Sequence, residues 1–170
     1  MIDLLIQGGG GRMGRALQNV LDDRFNQPAA VLEEGDDEAT RAARIAAAGA
    51  VIDFSTPWAL SRLCDELMVS PRPLITGTTG LQTEQLEKLD ALAEHAPVLW
   101  SPNMSLGVLV LRQLVERAAT LLPDFDVEVV EAHHHLKVDA PSGTGLALAK
   151  AAQRARPGAR ITTGRSGNGA

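Results

Sequence analysis

Residues 2–14 read IDLLIQGGGGRMG, and this stretch decides the fold class that the sequence predicts. Residues 2–7 form a short apolar run, which is typical of a buried strand, and four glycines follow it. After the glycines, Met13, Leu17 and Leu21 recur at helical spacing and predict a helix over residues 12–24. A strand, a glycine-rich turn and a helix in this order predict the start of a βαβ unit.

The same alternation continues along most of the chain. Further strands are predicted at residues 28–33, 51–54, 73–76 and 97–100. Helices are predicted at residues 36–48, 57–68, 82–95 and 105–122. Because parallel strands are joined by right-handed helical crossovers, the pattern predicts an α/β fold with a Rossmann-like, doubly wound parallel sheet. Ligands of such sheets bind at the carboxyl ends of the strands.

The periodicity of the sequence changes after Pro123. Residues 124–132 alternate with period two, which predicts a strand with one exposed face. Residues 143–154 are predicted to be a helix and residues 159–162 another strand. We therefore expect a dinucleotide-binding domain over residues 1–123. The start of a smaller α+β domain, for substrate binding and catalysis, is expected over residues 124–170, incomplete at its C-terminus.

Composition narrows the class of partner. The formal net charge of −5 argues against nucleic acid or an anionic membrane as the main partner. The N-terminus lacks the basic segment of a signal peptide, and no apolar run approaches the ~20 residues of a membrane span, so a cytoplasmic location is expected. The single cysteine, Cys64, has apolar neighbours at helical spacing. We interpret it as a buried structural residue rather than a reactive thiol.

The glycine run fits a dinucleotide fingerprint in either of two registers. One register uses Gly9, Gly11 and Gly14, and the other uses Gly8, Gly10 and Gly14. In both, the glycines allow a tight turn and a close approach of a pyrophosphate to the helix N-terminus. Glu33, which lies 19 residues after Gly14, is expected to bind the ribose hydroxyls rather than to be a solvated loop carboxylate.

Other segments are expected to line the same cleft. Glu34 would repel a 2′-phosphate, so NADH is expected to be preferred, with NADPH possible. The fourth strand is followed by a glycine-rich turn that is expected to contact the nicotinamide or its ribose, through Gly77, Thr78 and Thr79. The fifth strand is followed by a segment that is expected to contact the cofactor as well, namely Ser101, Pro102, Asn103 and Met104.

Residues 131–145, EAHHHLKVDAPSGTG, concentrate chemistry-bearing side chains. A zinc pair formed by His133 and His135 would need a third protein ligand, so no metal site is predicted. The alternative is an anion-binding acid/base site, in which imidazoles exchange protons and Lys137 supplies a positive charge. The start of the following helix, from Ser142 to Thr144, could grip a carboxylate. These groups favour proton-assisted hydride transfer to a small carboxylate.

This stretch resembles the motif E-A-H-H-x-x-K-x-D-A-P-S-G-T of the dihydrodipicolinate reductase family. GGGGRMG, VIDFSTP and GTTG also resemble motifs of that family. The resemblance implies an oxidoreductase of lysine and diaminopimelate biosynthesis. Such an enzyme reduces a cyclic unsaturated dicarboxylate, 4-hydroxy-tetrahydrodipicolinate, to tetrahydrodipicolinate with NADH or NADPH. It also implies a homotetramer.

The resemblance assigns roles to individual residues. His133 matches the catalytic acid/base of the family and Lys137 its catalytic lysine. The substrate carboxylates are implied to contact His134, Gly143 and Thr144. Ser142 is added to this set because it stands at the start of the same helix. The cofactor-binding segments are implied to include Gly8, Gly9, Gly10, Gly11, Arg12 and Met13, together with Glu33 and the two later segments.

Two other functions stay open at this point. One is a truncated relative that binds NADH without turnover. The other is a semialdehyde dehydrogenase of similar architecture, which would need a catalytic cysteine, and Cys64 is poorly placed for that role.

Overall fold

The computed structural model describes residues 3–133, 139–163 and 167–168. The chain divides into two compact units, Met1–Pro102 and Asn103–Ala170. Within the described residues, none of the helices combines the length and the hydropathy that a membrane span requires.

The first unit is a five-stranded sheet with helices between successive strands. Its strands are β1 (Leu4–Gln7), β2 (Ala30–Leu32), β3 (Ala50–Asp53), β4 (Leu74–Thr76) and β5 (Val98–Trp100). Its helices are α1 (Arg12–Phe25), α2 (Glu38–Ala47), α3 (Pro57–Val69) and α4 (Thr83–Ala93). Every one of these elements was predicted from the sequence, with ends that differ by at most two residues.

The strand order is β2-β1-β3-β4-β5, and every pairing is parallel. Gln7, the last residue of β1, lies between Leu32 of β2 and Asp53 of β3 in register. The winding direction reverses between β1 and β3, which is where sheets of this order bind their ligands. The predicted doubly wound α/β fold is confirmed.

The core of this unit lies between the sheet and its helices. Leu5, Val51 and Leu74 from three adjacent strands are at most 1% exposed. Leu60, Leu63 and Leu67 of α3 belong to the same apolar cluster. The strand β1 is buried on both faces and reads as a continuous apolar run, whereas Ile75 of β4 and Leu99 of β5 are exposed.

Cys64 lies in this cluster and is 1% exposed, so the interpretation of a buried structural residue is confirmed. Burial raises the pKa of its thiol to about 11. Because the thiolate is the reacting species, very little of it is present at neutral pH.

We expect Cys64 to resist alkylation while the protein is folded. At pH 8 the native thiol should react with a maleimide or disulfide reagent at least about 100-fold more slowly than the denatured chain, since both the thiolate fraction and access are reduced. Labelling reactions that are quenched at a series of times and analysed by mass spectrometry measure the ratio of the two rates. Equal rates in native and denatured protein would contradict the burial.

The second unit contains α5 (Leu106–Leu121), β6 (Asp139–Ala140), α6 (Gly143–Ala155) and β7 (Gly167–Asn168). The two helices pack against each other, and β6 pairs with β7 in antiparallel fashion. Arg154 of α6 donates a hydrogen bond to Glu116 of α5 at 2.7 Å. The packing of α5 on α6 groups α5 with the second unit. The expected domain boundary at residue 123 therefore lies one helix beyond the division at Pro102.

Two predicted strands are absent from the second unit. Residues 124–132 and 159–162 form no strand, although the predicted helix at 143–154 is present as α6. A period-two pattern specifies an apolar face, but a strand also needs a neighbour to complete its hydrogen-bond ladder. In the described part of the chain no such neighbour pairs with residues 124–132, and Phe125, Val127 and Val129 are exposed. Both strand predictions were wrong, and for residues 124–132 the missing neighbour is the reason.

Candidate functional site

A cavity of about 450 Å³ opens at the carboxyl ends of β1, β2 and β3 in the first unit. Its lining combines the glycine run Gly8–Gly11 with Glu33 and Glu34, which follow β2. Residues that follow β3 complete it, among them Phe54, Ser55, Thr56 and Trp58. The structure thus brings together two predicted cofactor-binding groups, the glycine run and Glu33, at the point where the sheet reverses its winding.

Two glycines of the fingerprint are required by the backbone itself. Gly8 has a φ of +82°, and a Cβ there would lie 2.5 Å from the carbonyl oxygen of Phe54. A Cβ on Gly14 would lie 2.2 Å from the carbonyl oxygen of Gly8. A Cβ on Gly10, by contrast, would meet no atom within 4 Å. Gly8 therefore makes the tight turn, Gly10 can lie close to a ligand, and Gly14 lets α1 pack against the turn, which favours the register Gly8, Gly10, Gly14.

The N-terminus of α1 is built differently from those of its neighbours. Gly11 begins the helix without a side-chain cap, and the first turn contains no acidic residue. Four other helices are capped by polar side chains, namely those of Asp37, Thr56, Ser105 and Ser142. An uncapped helix N-terminus offers backbone N–H groups and a favourable dipole to an anion. Arg12 and Met13, the first residues of α1, are exposed and lie outside the cavity lining.

Charged groups of both signs line this cavity. The carboxylates of Glu33 and Glu34 are exposed there. Arg41 and Arg62 also belong to the lining, but both bind Glu66. Arg41 makes two hydrogen bonds of 2.6 Å to Glu66, and Arg62 makes one of 3.1 Å. The positive charge of the two guanidinium groups is thus partly compensated within the protein.

Trp58 was not identified from the sequence. Its indole is 67% exposed and lines the cavity. It follows Pro57 at the first turn of α3, so the position of the helix start could have indicated that it faces the sheet edge. A large exposed aromatic ring beside a glycine-rich loop can stack on a nucleobase.

In the turn after β4, the hydroxyl of Thr78 makes its hydrogen bonds to other residues of the protein. Thr78 is 2% exposed. Its hydroxyl donates to Oδ2 of Asp53 at 2.6 Å and accepts from the backbone N–H of Ser55 at 3.0 Å. Gly77, Thr78 and Thr79 lie outside the cavity lining, as do Ser101 and Pro102. Thr79, by contrast, is exposed.

In the second unit, Ser142 and Glu131 organise the start of α6. The Ser142 hydroxyl caps the helix by accepting from the N–H of Gly145 at 2.9 Å, and it donates to Oε2 of Glu131. Oε1 of Glu131 accepts from the backbone N–H of Ser142 at 2.6 Å. The hydrogen bond from the Ser142 hydroxyl and that from its N–H hold the pKa of Glu131 below its usual range.

His133 lies beside this carboxylate. Its Nε2 is 3.3 Å from Oε2 of Glu131, and its side chain is 40% exposed. Glu131 was not identified as a site residue from the sequence, although it stands two positions before the histidine at strand spacing. A carboxylate that contacts one ring nitrogen orients the imidazole and leaves the other nitrogen for proton exchange.

One hydrogen bond joins a residue predicted to bind the cofactor to a residue predicted to bind the substrate. The side-chain amide of Asn103, predicted to bind the cofactor, donates to the hydroxyl of Thr144, predicted to bind the substrate, at 3.1 Å. The Asn103 carbonyl oxygen accepts from the N–H of Ser105 at 2.9 Å. Met104 is exposed, and space is open around the Cα of Gly143 among the described residues.

His134 and Lys137 lie outside the described residues, so their roles stay predictions. His135, the other half of the zinc pair considered from the sequence, also lies outside them. Among the residues that the structure describes, no three His, Cys, Asp or Glu side chains are grouped closely enough to hold a metal ion.

Comparison with known proteins identifies the family. The family model "Dihydrodipicolinate reductase, N-terminus" matches residues 2–104, and "Dihydrodipicolinate reductase, C-terminus" matches residues 107–169. These two matches meet next to the division between the compact units at Pro102.

Individual relatives agree with these matches. The 4-hydroxy-tetrahydrodipicolinate reductase of Caulobacter vibrioides is 43% identical over 163 residues, which cover 91% of this chain and 63% of that protein. The enzyme of the same name from Nitratiruptor sp. is 39% identical over 166 residues, which cover 92% of this chain and 65% of that protein. The chain thus spans slightly less than two thirds of the length of these relatives.

A solved structure shows the same fold. The dipicolinate-bound dihydrodipicolinate reductase from Paenisporosarcina sp. TG-14 superposes with a TM-score of 0.76 at 24% identity, covering 99% of this chain and 71% of that one. The N-terminal family model alone matches more than half of the residues. The chain therefore belongs to the dihydrodipicolinate reductase family.

Proposed function

We propose that this chain binds NADH in the cavity of its first unit. We further propose that it reduces 4-hydroxy-tetrahydrodipicolinate to tetrahydrodipicolinate with one hydride from NADH and one proton, while the 4-hydroxyl group leaves as water. The observation that carries the proposal is the cavity itself, where a glycine turn and Glu33 lie at the switch point of a doubly wound sheet. The substrate is inferred from the names of the relatives, which are 4-hydroxy-tetrahydrodipicolinate reductases.

For the cofactor, the proposed arrangement follows the lining of the cavity. The pyrophosphate lies against Gly10 and the uncapped N-terminus of α1, where backbone N–H groups face an anion. Glu33 accepts hydrogen bonds from the ribose hydroxyls. Trp58 offers an apolar surface in the same cavity. When bound, the reduced nicotinamide supplies the hydride.

For the substrate, the second unit supplies a polar cluster. The N-terminus of α6 at Ser142–Thr144 is proposed to hold a carboxylate of the substrate. His133 is proposed to exchange the proton that accompanies hydride transfer, with Glu131 holding Nε2 of its ring. Lys137 and His134 are proposed to add positive charge and a hydrogen bond near the same ligand. Homotetrameric assembly and a cytoplasmic location stay predictions.

The test uses the purified 170-residue chain. Titration with NADH should change the tryptophan fluorescence, because Trp58 lines the proposed cofactor cavity. Addition of the substrate should then oxidise NADH in proportion to the protein concentration. Failure of NADH to bind would refute the proposal as a whole.

A second candidate is a nucleotide-binding protein without turnover. The observation behind it is that the chain spans 63% and 65% of the two relatives described above. Binding of NADH without any substrate-dependent oxidation would select this candidate.

We propose a preference for NADH over NADPH. Glu33 and Glu34 place two exposed carboxylates at the cavity, and Glu66 partly compensates the two arginines there. A 2′-phosphate would face repulsion from these carboxylates.

The Glu34→Arg variant is expected to shift this preference by about tenfold or more towards NADPH, since a repulsive charge becomes an attractive one. Competition titrations of both cofactors give the ratio of their Kd values. Glu87→Arg is the matched control, because Glu87 is exposed on α4 and outside the cavity lining. A wild-type protein that favours NADPH by about tenfold would contradict the proposed preference.

A further inference from the structure

The first unit buries its polar side chains in one connected network. In its described part, five polar side chains are at most 4% exposed, namely those of Gln7, Arg41, Asp53, Thr76 and Thr78. Hydrogen bonds link all of them, from Arg41 to Gln7 at 3.0 Å, from Gln7 to Asp53 at 3.2 Å, and from both threonines to Asp53. Four of the five stand at or just beyond the carboxyl ends of strands. The apolar core elsewhere contains no comparable cluster among the described residues.

Asp53 is the centre of this network. Its side chain is completely buried, and its two carboxyl oxygens accept hydrogen bonds from four side chains. Oδ1 accepts from Gln7 at 3.2 Å and from the hydroxyl of Ser55. Oδ2 accepts from Thr76 at 2.7 Å and from Thr78 at 2.6 Å. These four bonds use the acceptor capacity of a carboxylate, so the burial of this polar group is fully compensated.

The four donors belong to three different strand ends. Gln7 ends β1 and precedes Gly8, Ser55 follows β3, and Thr76 ends β4, with Thr78 in the turn beyond it. Further bonds tighten the same links: Ser55 N–H donates to Thr78 at 3.0 Å, and the Gln7 amide donates to the carbonyl oxygen of Ala59 at 3.0 Å. A single carboxylate therefore sets the spacing between three loops.

Stability alone does not account for such a group. A buried carboxylate is costly to desolvate, and replacing buried polar clusters by apolar side chains is often neutral or stabilising. The hydrogen bonds of the Asp53 carboxylate are directional, so they fix one arrangement of the groups that donate to it. Apolar packing does not have this directionality. The groups fixed here are the glycine turn and the Ser55–Thr56 turn, both of which line the cofactor cavity.

We propose that Asp53 is a positioning residue for the dinucleotide site, whose carboxylate holds the loops after β1, β3 and β4 in the geometry that receives NADH. The inference rests on the proposed function, because it takes NADH as the ligand of this cavity. Asp53 itself touches no ligand in this account and acts through Gln7, Ser55 and Thr78.

The test compares Asp53→Asn with Val51→Ala. Asparagine keeps the shape of the side chain but places an amide NH₂ against donors, so one pair of bonds is lost. Val51 lies on the same strand, is 0% exposed and belongs to the apolar cluster, so Val51→Ala destabilises the fold without altering the network. Both variants should lower the Tm. Only Asp53→Asn should raise the Kd for NADH, by about tenfold or more, because loop geometry controls the contacts to the cofactor.

Two readouts separate positioning from a general structural effect. In Asp53→Asn the KM for NADH should rise about as much as its Kd, while kcat at saturating NADH stays within about threefold of wild type. Thr78→Val removes one donor of the same carboxylate and should also raise the Kd. The double variant should then bind NADH no more than about twofold more weakly than the worse single variant, because the two residues act as a unit.

The outcomes are decisive in each direction. If Asp53→Asn binds NADH within about twofold of Val51→Ala, the positioning role is overturned. If Asp53→Asn does not fold, Thr78→Val decides: a raised Kd supports the role and a wild-type Kd overturns it. If the wild-type protein does not bind NADH, the proposed function and this inference are both overturned. If the wild-type protein binds NADH and only the variants fail to show the expected effect, the inference alone is overturned.

Discussion

His133→Gln is expected to lower kcat by about 100-fold or more while the Kd for NADH stays within about twofold of wild type. Glutamine keeps a polar side chain of similar reach, but it cannot exchange a proton near neutral pH. The imidazole lies in the second unit, whereas the proposed cofactor cavity lies in the first, so cofactor binding should not respond. Steady-state kinetics with saturating NADH and an NADH titration measure the two quantities.

The same substitution at His95 is the matched control. His95 is exposed just beyond α4 and lines no described cavity, so His95→Gln should leave kcat unchanged. If His133→Gln turns over as fast as wild type, His133 has no part in the reaction. If the variant loses NADH affinity instead, the proposal that the first unit binds the cofactor and that His133 of the second unit only exchanges the proton is wrong.

Gly14→Ala is expected to raise the Kd for NADH by about 100-fold. Its Cβ would lie 2.2 Å from the carbonyl oxygen of Gly8 and 2.5 Å from the Cα of Gly9, and backbone atoms cannot rotate away. The turn must therefore move, and the loss of two charge-assisted hydrogen bonds to the pyrophosphate would cost about 3 kcal/mol, which corresponds to this change in Kd. Fluorescence titration measures the Kd, and a thermal melt shows whether the protein is folded.

Gly35→Ala provides the control for this variant. A Cβ on Gly35 would meet no atom within 4 Å, so the substitution should leave the Kd for NADH near that of wild type. A folded Gly14→Ala protein that binds NADH as tightly as wild type would show that the close packing of α1 against the turn is not needed for the site.

The first unit could be predicted almost completely from its sequence. Each of its strands appears in the sequence as a short apolar run, and a turn or polar residues follow each run. Four glycines after the first run left the fingerprint register open, because a pattern of letters does not reveal φ. The positive φ of Gly8 and the contact of Gly14 with the turn supply the missing information.

The Asp53 network could not be predicted in the same way. Asp53 and its four donors stand at positions 7, 53, 55, 76 and 78, and only the order of the strands brings them together. In the sequence, Asp53 follows an apolar run and resembles an ordinary residue at a strand end. Its buried position and four donors become evident from the three-dimensional arrangement.

The second unit was predicted less well, for a physical reason. The helix α6 is defined by local features, namely the Ser142 cap and its apolar spacing. The expected strand at 124–132 depends on a partner, which the alternation of Phe125, Val127 and Val129 cannot specify. Glu131 was missed because Ser142, whose N–H and hydroxyl it binds, lies 11 residues further along the sequence.

The most direct measurement of the central claim is the absorbance of NADH in a mixture of this chain and 4-hydroxy-tetrahydrodipicolinate. We expect the NADH absorbance to fall at a rate that is proportional to the protein concentration and depends on the substrate, and we expect the His133→Gln protein to slow this rate by about 100-fold. Tight binding of NADH with no decay of its absorbance at any substrate concentration would contradict the claim that this chain is a reductase.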